Sequence, residues 1–449
     1  MALGEELEAV LASAATEHGV PGAMAGVLVD GECHTAGYGV TNVEHPLPVD
    51  SATLFQIASL TKTFTATAVM LLVDEGKVAL EDPVAKHLPD LAARTALDFD
   101  AITVEHLLSH QAGFDGDHLF VTREADSLDA LRDARRLFPP GSEYSYNNAA
   151  FSIAGALVGA VSGDPFESFV QTRLLRPLGM DTAAFRADDV ITHRVAAPHF
   201  VAGDTTMVLR GFGWQPGWEL GAVDRAAGGL IASVDQLLSW CRFQLTGQSS
   251  EGEQLIAPES LDRLHTPVVR VDAIEEGALD WSVWRYAGGT AMGHGGLTVG
   301  YCSNLVVAKE HGVGVVSHTH AVNGAGVNQA VRRWALERCA GIIVRDPEPD
   351  PAVVIEPGAF AGDFVAPFAR LTLSAGEQPN TITLTSNQRD DVDGWKPPPD
   401  APMTLAFFLP DHAVTLDASG PARVARFAFD ADGRVDWLLW GGRRAPRTA

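Results

Sequence analysis

FQIASLTKTFTATAVMLLVDEG, residues 55–76, carries the deciding pattern. From Ser59 onward it reads as a helix. Phe64, Ala68, Leu71 and Leu72 fall on one face at helical spacing, and Gly76 supplies the left-handed stop. Ser59 and Lys62 open that helix three positions apart, so they share a face and the amine can reach the hydroxyl. A hydroxyl is a poor nucleophile until a base takes its proton, and a desolvated lysine can be that base. A helix start also favours developing negative charge, because its first N–H groups are free. Taken alone, an SxxK is more often a serine cap beside a solvated lysine. Here the only lysines are Lys62, Lys77, Lys86, Lys309 and Lys396, so one inside a motif is less accidental.

Two further patterns, each occurring once, join it. Tyr146-Asn147-Asn148 follows the turn Pro139-Pro140-Gly141. A phenol can relay or accept a proton where cations lower its pKa, and an Asn amide can bond a substrate amide, steady the lysine or cap the helix 148–162. His294-Gly295-Gly296 lies on the glycine-rich strand GHGGLTVGY. Strand glycines often mark close approach of a ligand to the backbone. The N–H of Leu297 beside them, with that of Ser59, is a candidate oxyanion pair. His294 can donate a hydrogen bond to the substrate or to Tyr146.

Residues 22–30 and 34–41 read as strands joined by the turn Asp30-Gly31. After the SxxK helix, helices are expected at 103–109, 127–136, 148–162, 164–176 and 233–246, the last with Ser233 as cap and Gln236 as its capping-box partner. Strands return at 281–287, 299–308 and 312–318, and a helix at 324–340 closes this part. The run RDPEPDP, 345–351, has linker composition. Beyond it, short alternating stretches such as TITLT, MTLAFFL and VDWLLW alternate with Gly, Pro, Asn and Asp, the texture of an antiparallel meander closing into a small barrel. The expected organisation is a hydrolase-type domain over 1–344, a linker over 345–351 and a barrel-like, lipocalin-like domain over 352–449. The first is an α/β (α+β) unit in which distant strands form one antiparallel sheet with a helical insert.

The joint occurrence of SxxK, YxN and HxG in this order resembles the serine β-lactamases and penicillin-binding proteins, and more narrowly the class C β-lactamase-related esterases and D-aminopeptidases. ITVEHLLSHQAGF (102–114), FPPGSEYSYNNAAFSIAG (138–155), RAAGGLIASVDQLLSW (225–240) and MGHGGLTVGY (292–301) extend the resemblance to roughly residues 5–340. It implies Ser59 as nucleophile, Lys62 with Tyr146 as the proton-transfer pair, and Asn148 positioning lysine and substrate. Ser59, Gly295, Gly296 and Leu297 would bind the oxyanion and substrate, while His110 and Gly113 would shape the site from below. His294 stands where the family usually has a lysine. A histidine is only partly charged near neutral pH, which suits ester or amide cleavage better than penicillin hydrolysis.

Composition bounds the rest. At 46% hydrophobic and 20% charged the chain is globular, and 449 residues favour two domains. Its net charge of −25 argues against nucleic acid or an anionic membrane surface as partner. The expected partners are a small ester, amide or short peptide, with a homo-oligomer compatible. Cys33, Cys241, Cys302 and Cys339 form neither metal spacing nor a disulfide framework. No membrane span or signal peptide is legible, so the expected location is cytoplasmic, or secreted if a leader has been removed. No cofactor is expected. His318-Thr319-His320 lacks a third ligand for a metal, and GxSxG, HExxH and P-loop patterns are missing. Trp214, Trp218, Trp281 and Trp284 flank the expected cleft. The same motifs would also serve an acyltransferase or peptide cyclase, or a non-catalytic penicillin-binding sensor.

Overall fold

Residues 22–29 (GAMAGVLV) carry almost no polar side chain, as a strand buried on both faces requires. In the computed structural model, which describes residues 2–117, 128, 131–132, 134–203, 205–210, 218–366, 369–388, 401–416 and 422–448, this strand, β1 (Gly22–Val29), lies inside an eight-stranded antiparallel sheet. Its companions are β2 (Glu32–Gly39), β3 (Val269–Arg270), β4 (Glu276–Gly277), β5 (Ser282–Tyr286), β6 (Gly289–Thr298), β7 (Tyr301–Ala308) and β8 (Val313–Thr319), in the order β2-β1-β8-β7-β6-β5-β4-β3. The first and last segments of the unit therefore meet, with β1 paired to β8 from Ala23–Thr319 to Leu28–Gly314.

Helices cover both faces. α1 (Leu3–Glu17) and the C-terminal helix Ala325–Ala340 bury Leu7, Leu11, Val327 and Val331 against Ala25, Val27, Val306 and Val315. On the other face, α2 (Thr61–Asp74), α3 (Asn148–Ser162) and α4 (Val234–Thr246) form the larger core, where Phe64 stacks on Trp240 at 3.7 Å between ring centroids. Glycine at 26 is what lets α4 approach, since a Cβ there would fall 2.7 Å from Val234 Cγ1. Ser233 and Gln236 form the expected capping box.

The SxxK helix forms as expected over Thr61–Asp74 and is covered on all sides, every residue from Thr61 to Leu72 being buried. Its threonines return hydrogen bonds to carbonyl oxygens, Thr63 to Leu60 and Thr67 to Thr63 at 2.8 Å each, so they need no water. The helix expected at 164–176 is α-helical only over Phe166–Val170 and continues as a π turn over Gln171–Leu175. The helix expected at 127–136 is not seen in its described part: residues 134–136 are not helical and Arg136 bridges to Phe114, while 127, 129–130 and 133, like Trp214, lie outside the described residues.

The C-terminal meander forms a second eight-stranded antiparallel sheet in sequential order: β9 (Gly362–Val365), β10 (Ala369–Ala375), β11 (Thr381–Gln388), β12 (Met403–Leu409), β13 (His412–Thr415), β14 (Val424–Phe429), β15 (Val435–Trp440) and β16 (Arg443–Pro446). A bridge between Phe364 and Arg447 brings its first and last strands together, so it is nearly closed around Phe360, Phe364, Phe407 and Phe427. Trp437 and Leu439 pack on Tyr144 and Val271 of the first unit. The turn between β15 and β16 reaches further, and Gly442 O accepts a 2.8 Å hydrogen bond from Tyr146 N.

Several buried histidines are neutral structural groups. Val43 N–H donates to His199 Nε2 at 3.2 Å, so His199 carries its proton on Nδ1 and donates it to His320 Nδ1 at 2.7 Å; His320 Nε2–H donates to Val40 O. His318 stacks on Phe55. The His318-Thr319-His320 run is thus engaged by aromatic and histidine neighbours. Burial pushes His265, His318 and His320 down to about 3. A depressed folded pKa means stability is lost as pH falls below the unfolded value of about 6.5, at about 1.4 kcal/mol per pH unit for each group. Asp272 and Glu275, raised by burial, act in the opposite sense at lower pH. The expected net result is a clearly lower Tm at pH 5.5 than at pH 7.5, measurable by calorimetry; an unchanged or higher Tm would contradict it.

Candidate active site

Ser59 sits in a 3-10 turn, Ala58–Leu60, that leads into α2. Ala58 just before it takes φ 53°, a left-handed conformation that costs a residue bearing a Cβ and persists only where the surroundings enforce it. They do so from the sheet: Ser303 Oγ donates to Ile57 O at 2.7 Å, and Thr298 Oγ1 donates to Gln56 Oε1 at 2.7 Å. Gly296 lies directly against this turn, and a Cβ there would fall 2.3 Å from Ile57 O. Gly295 faces no such crowding, its nearest neighbour being Ser303 O at 3.9 Å. β5 pairs with β6 only as far as Gly293, which leaves residues 294–298 with an unpaired edge on that side.

Lys62, the second residue of α2, is fully buried, and its Nζ donates to Ser59 Oγ at 3.0 Å and to Ala227 O at 2.6 Å. Burial pushes its amine down to about 7, only partly offset by the carboxylates of Asp280 and Asp117. At neutral pH a large share is therefore the free base, the form that can accept a hydroxyl proton.

Tyr146 stands over this pair, with Lys62 Nζ 5.0 Å from its ring centroid and Arg443 Cζ 4.9 Å from it. The expectation of a phenol made acidic by cations is corrected here. Burial and the Asp280 charge push Tyr146 far up, against the lowering pull of the Ser59 hydroxyl and Arg443. Its Oη closes no hydrogen bond of normal geometry, though Ser59 is among the groups that act on it. The phenol is neutral and suited to passing a proton on.

Asn148 makes no hydrogen bond to the lysine. Its N–H and Nδ2 donate to Asp117 Oδ1 at 3.3 and 2.6 Å, leaving Oδ1 buried without a partner. The cap of α3 is its neighbour Asn147, whose Oδ1 accepts from Ala150 N at 3.0 Å. Asp117 Oδ2 pairs with Arg443 Nε, which arrives from the C-terminal sheet. Neither Asp117 nor Arg443 belongs to a motif, and no local sequence signal marks them.

His294 likewise does not hydrogen-bond Tyr146; their ring centroids are 6.0 Å apart. It faces Asp280, whose Oδ1 lies 3.4 Å from His294 Nε2 and 3.2 Å from His110 Nε2. The His110 ring packs at a tilt against Tyr146, 4.3 Å between centroids, and Gly113 (φ 75°) packs on Phe138 O, so both shape the site from below. Among the described residues, His110, Asp280 and His294 are close enough to suggest a metal site, but the tautomer opposes it. Asn147 N–H donates to His110 Nδ1 at 3.0 Å, which puts the ring proton on the Nε2 that a metal would need.

A cleft of about 930 Å³ takes in Ser59, Tyr146, Asn148, His294 and Gly295–Leu297, and Arg443 closes it from the C-terminal sheet. Leu297 is 62% exposed at its mouth. Trp284 lines it, while Trp281 is buried below and Trp218 packs edge-on against Tyr301. The arrangement joins a hydroxyl, a partly deprotonated amine and a neutral phenol beside an unpaired strand edge.

The family model described as Beta-lactamase matches residues 7–339. Penicillin-binding protein 4 of Amycolatopsis lactamdurans is 29% identical over 320 residues, 66% of this chain and 80% of that protein. Among solved structures, SurE superposes with a TM-score of 0.75 at 24% identity, over 99% of both chains. The D-amino acid amidase from Ochrobactrum anthropi SV3, solved with L-phenylalanine amide, superposes with a TM-score of 0.62 at 21% identity, covering 74% of this chain and 97% of that one. At these identities the two structural likenesses establish a shared fold.

Proposed function

The chain belongs to the Beta-lactamase family, and from that premise we propose that it is a serine hydrolase that cleaves ester or amide bonds through an acyl-enzyme on Ser59. The observation that carries this reading is the 3.0 Å contact between Lys62 Nζ and Ser59 Oγ in a setting that brings the amine to about 7. Ser59 Oγ attacks the carbonyl carbon while Lys62 takes its proton. The carbonyl oxygen, now negative, rests on the Ser59 and Leu297 N–H groups. Tyr146, neutral between Lys62 and the cleft, carries the proton to the leaving alcohol or amine, and water then attacks the acyl carbon to release the acid. Gly295 and Gly296 leave the strand edge open for the substrate chain, and Asn148 Oδ1 is an acceptor for a substrate N–H.

The test is covalent labelling. A fluorophosphonate is expected to add one equivalent to the protein, at Ser59, and Ser59→Ala is expected to abolish both labelling and hydrolysis of a p-nitrophenyl ester. Undiminished labelling of Ser59→Ala would overturn the assignment.

A further inference from the structure

Asp280 is buried, and it holds a left-handed backbone conformation (φ 69°) although it is not glycine. A strained, buried carboxylate needs a reason. Its Oδ1 faces the Nε2 atoms of His110 and His294, and its Oδ2 has no hydrogen-bond partner. The protons follow from the partners. His110 accepts from Asn147 N–H on Nδ1, so it is the neutral ring that donates from Nε2. Burial also pushes His110 down. His294 Nδ1 lies 2.5 Å from Gly295 O, and its Nε2 faces Asp280. A carbonyl only accepts, so Nδ1 carries a proton, and a carboxylate oxygen 3.4 Å from Nε2 favours a second proton there over a bare lone pair.

We propose that Asp280 is a positioning residue that keeps His294 doubly protonated, so that the His-Gly-Gly strand presents a fixed positive charge beside Tyr146. The inference rests on the acyl-enzyme reading of this site for its catalytic meaning. It replaces the sequence-based picture of a partly charged histidine: the ring and its carboxylate together do what a permanently charged side chain would do in that place. Burial works to raise Asp280, yet the facing charge of His294 and the His110 hydrogen bond hold its carboxyl below the usual range. Other ionisable groups share the cavity walls with the ring. Tyr144 and Tyr146 are held neutral by burial, Lys62 Nζ lies 5.0 Å from the Tyr146 ring centroid, Arg443 is paired with Asp117 and Arg426 with Glu143, Arg423 lies over the Trp440 ring, and Asp272 and Glu275 are raised by burial, Glu275 being bonded by Ser282 and Trp284.

The test combines a direct measurement with a rescue. In the wild-type chain, the imidazole ¹⁵N resonances of His294 at about pH 8 are expected to report two protonated nitrogens. In Asp280→Asn at the same pH they are expected to report one. The alkaline limb of kcat/KM for a p-nitrophenyl ester then moves down by about one pH unit or more, with an about tenfold loss at pH 8. Asp280→Asn also lowers the Lys62 amine, because Asp280 is the foremost group raising it, but that moves only the acid limb, and downward. Combining Asp280→Asn with His294→Lys, which brings its own charge, is expected to restore the alkaline limb. A singly protonated His294 in the wild type at pH 8 overturns the proposal, as does a double variant no better than Asp280→Asn while both fold. Should Ser59 prove not to be the nucleophile, the resonance measurement still decides the charge of His294.

Discussion

Lys62→Met is expected to lower kcat for ester hydrolysis about a thousandfold, with KM changed far less, because removing a positioned base usually costs about 10²- to 10⁴-fold. Methionine fills nearly the same volume in a site with no exposed surface, so the fold should persist. It should be more stable. An amine brought from 10.5 to about 7 by burial has a depressed folded pKa, so the stability it takes away grows as pH falls from its unfolded value through about 7. At neutral pH that burden is on the order of a few kcal/mol, which Met removes. Activity falling while Tm rises is a signature that a scaffold lysine would not give. The wild-type kcat/KM is expected to climb with pH through about 7 as the amine loses its proton. Retention of more than about a tenth of wild-type kcat in a folded Lys62→Met protein would exclude Lys62 as the base.

Arg443→Met is expected to cut kcat/KM about a hundredfold, although the residue lies 381 positions from Lys62 and on the C-terminal sheet. Asp117 is buried and accepts from Asn148 on one oxygen and from Arg443 on the other. Removing one partner of a buried ion pair typically costs about 3–5 kcal/mol. Asp117 must then protonate or move, and Asn148 moves with it. Arg443 also lowers the Lys62 amine, so its loss should shift the acid limb of the pH profile upward. Steady-state kinetics across pH, with melting curves, read both effects. Wild-type kinetics in Arg443→Met would mean that the second sheet is not needed by the site.

The helix of residues 61–74, the capping box at Ser233 and the alternation of the C-terminal strands rest on contacts a few residues apart, and periodicity exposes such contacts. The chemically distinctive residues Ser59, Lys62, Tyr146 and His294 were legible for the same reason, as each sits in a short motif with fixed spacing. Their partners were not. Asp280, Asp117 and the carbonyl of Ala227 are ordinary in sequence, and nothing local distinguishes Asp280 from the other acidic residues of a chain with net charge −25. The burial of the helix Thr61–Asp74 on every side was not legible either, because periodicity does not report how many sides of a helix are covered.

By itself the sequence determined which side chains could carry the reaction, the order of the elements and the closure of the C-terminal meander, since these follow from local spacing and patterning. Only the tertiary structure decided their states: that Lys62 sits at about 7, that Tyr146 stays neutral, that Asn148 answers to Asp117 and that His294 faces a carboxylate. Proton affinity and hydrogen-bond partnership depend on solvent exclusion and on charges within a few ångströms, whatever their distance along the chain.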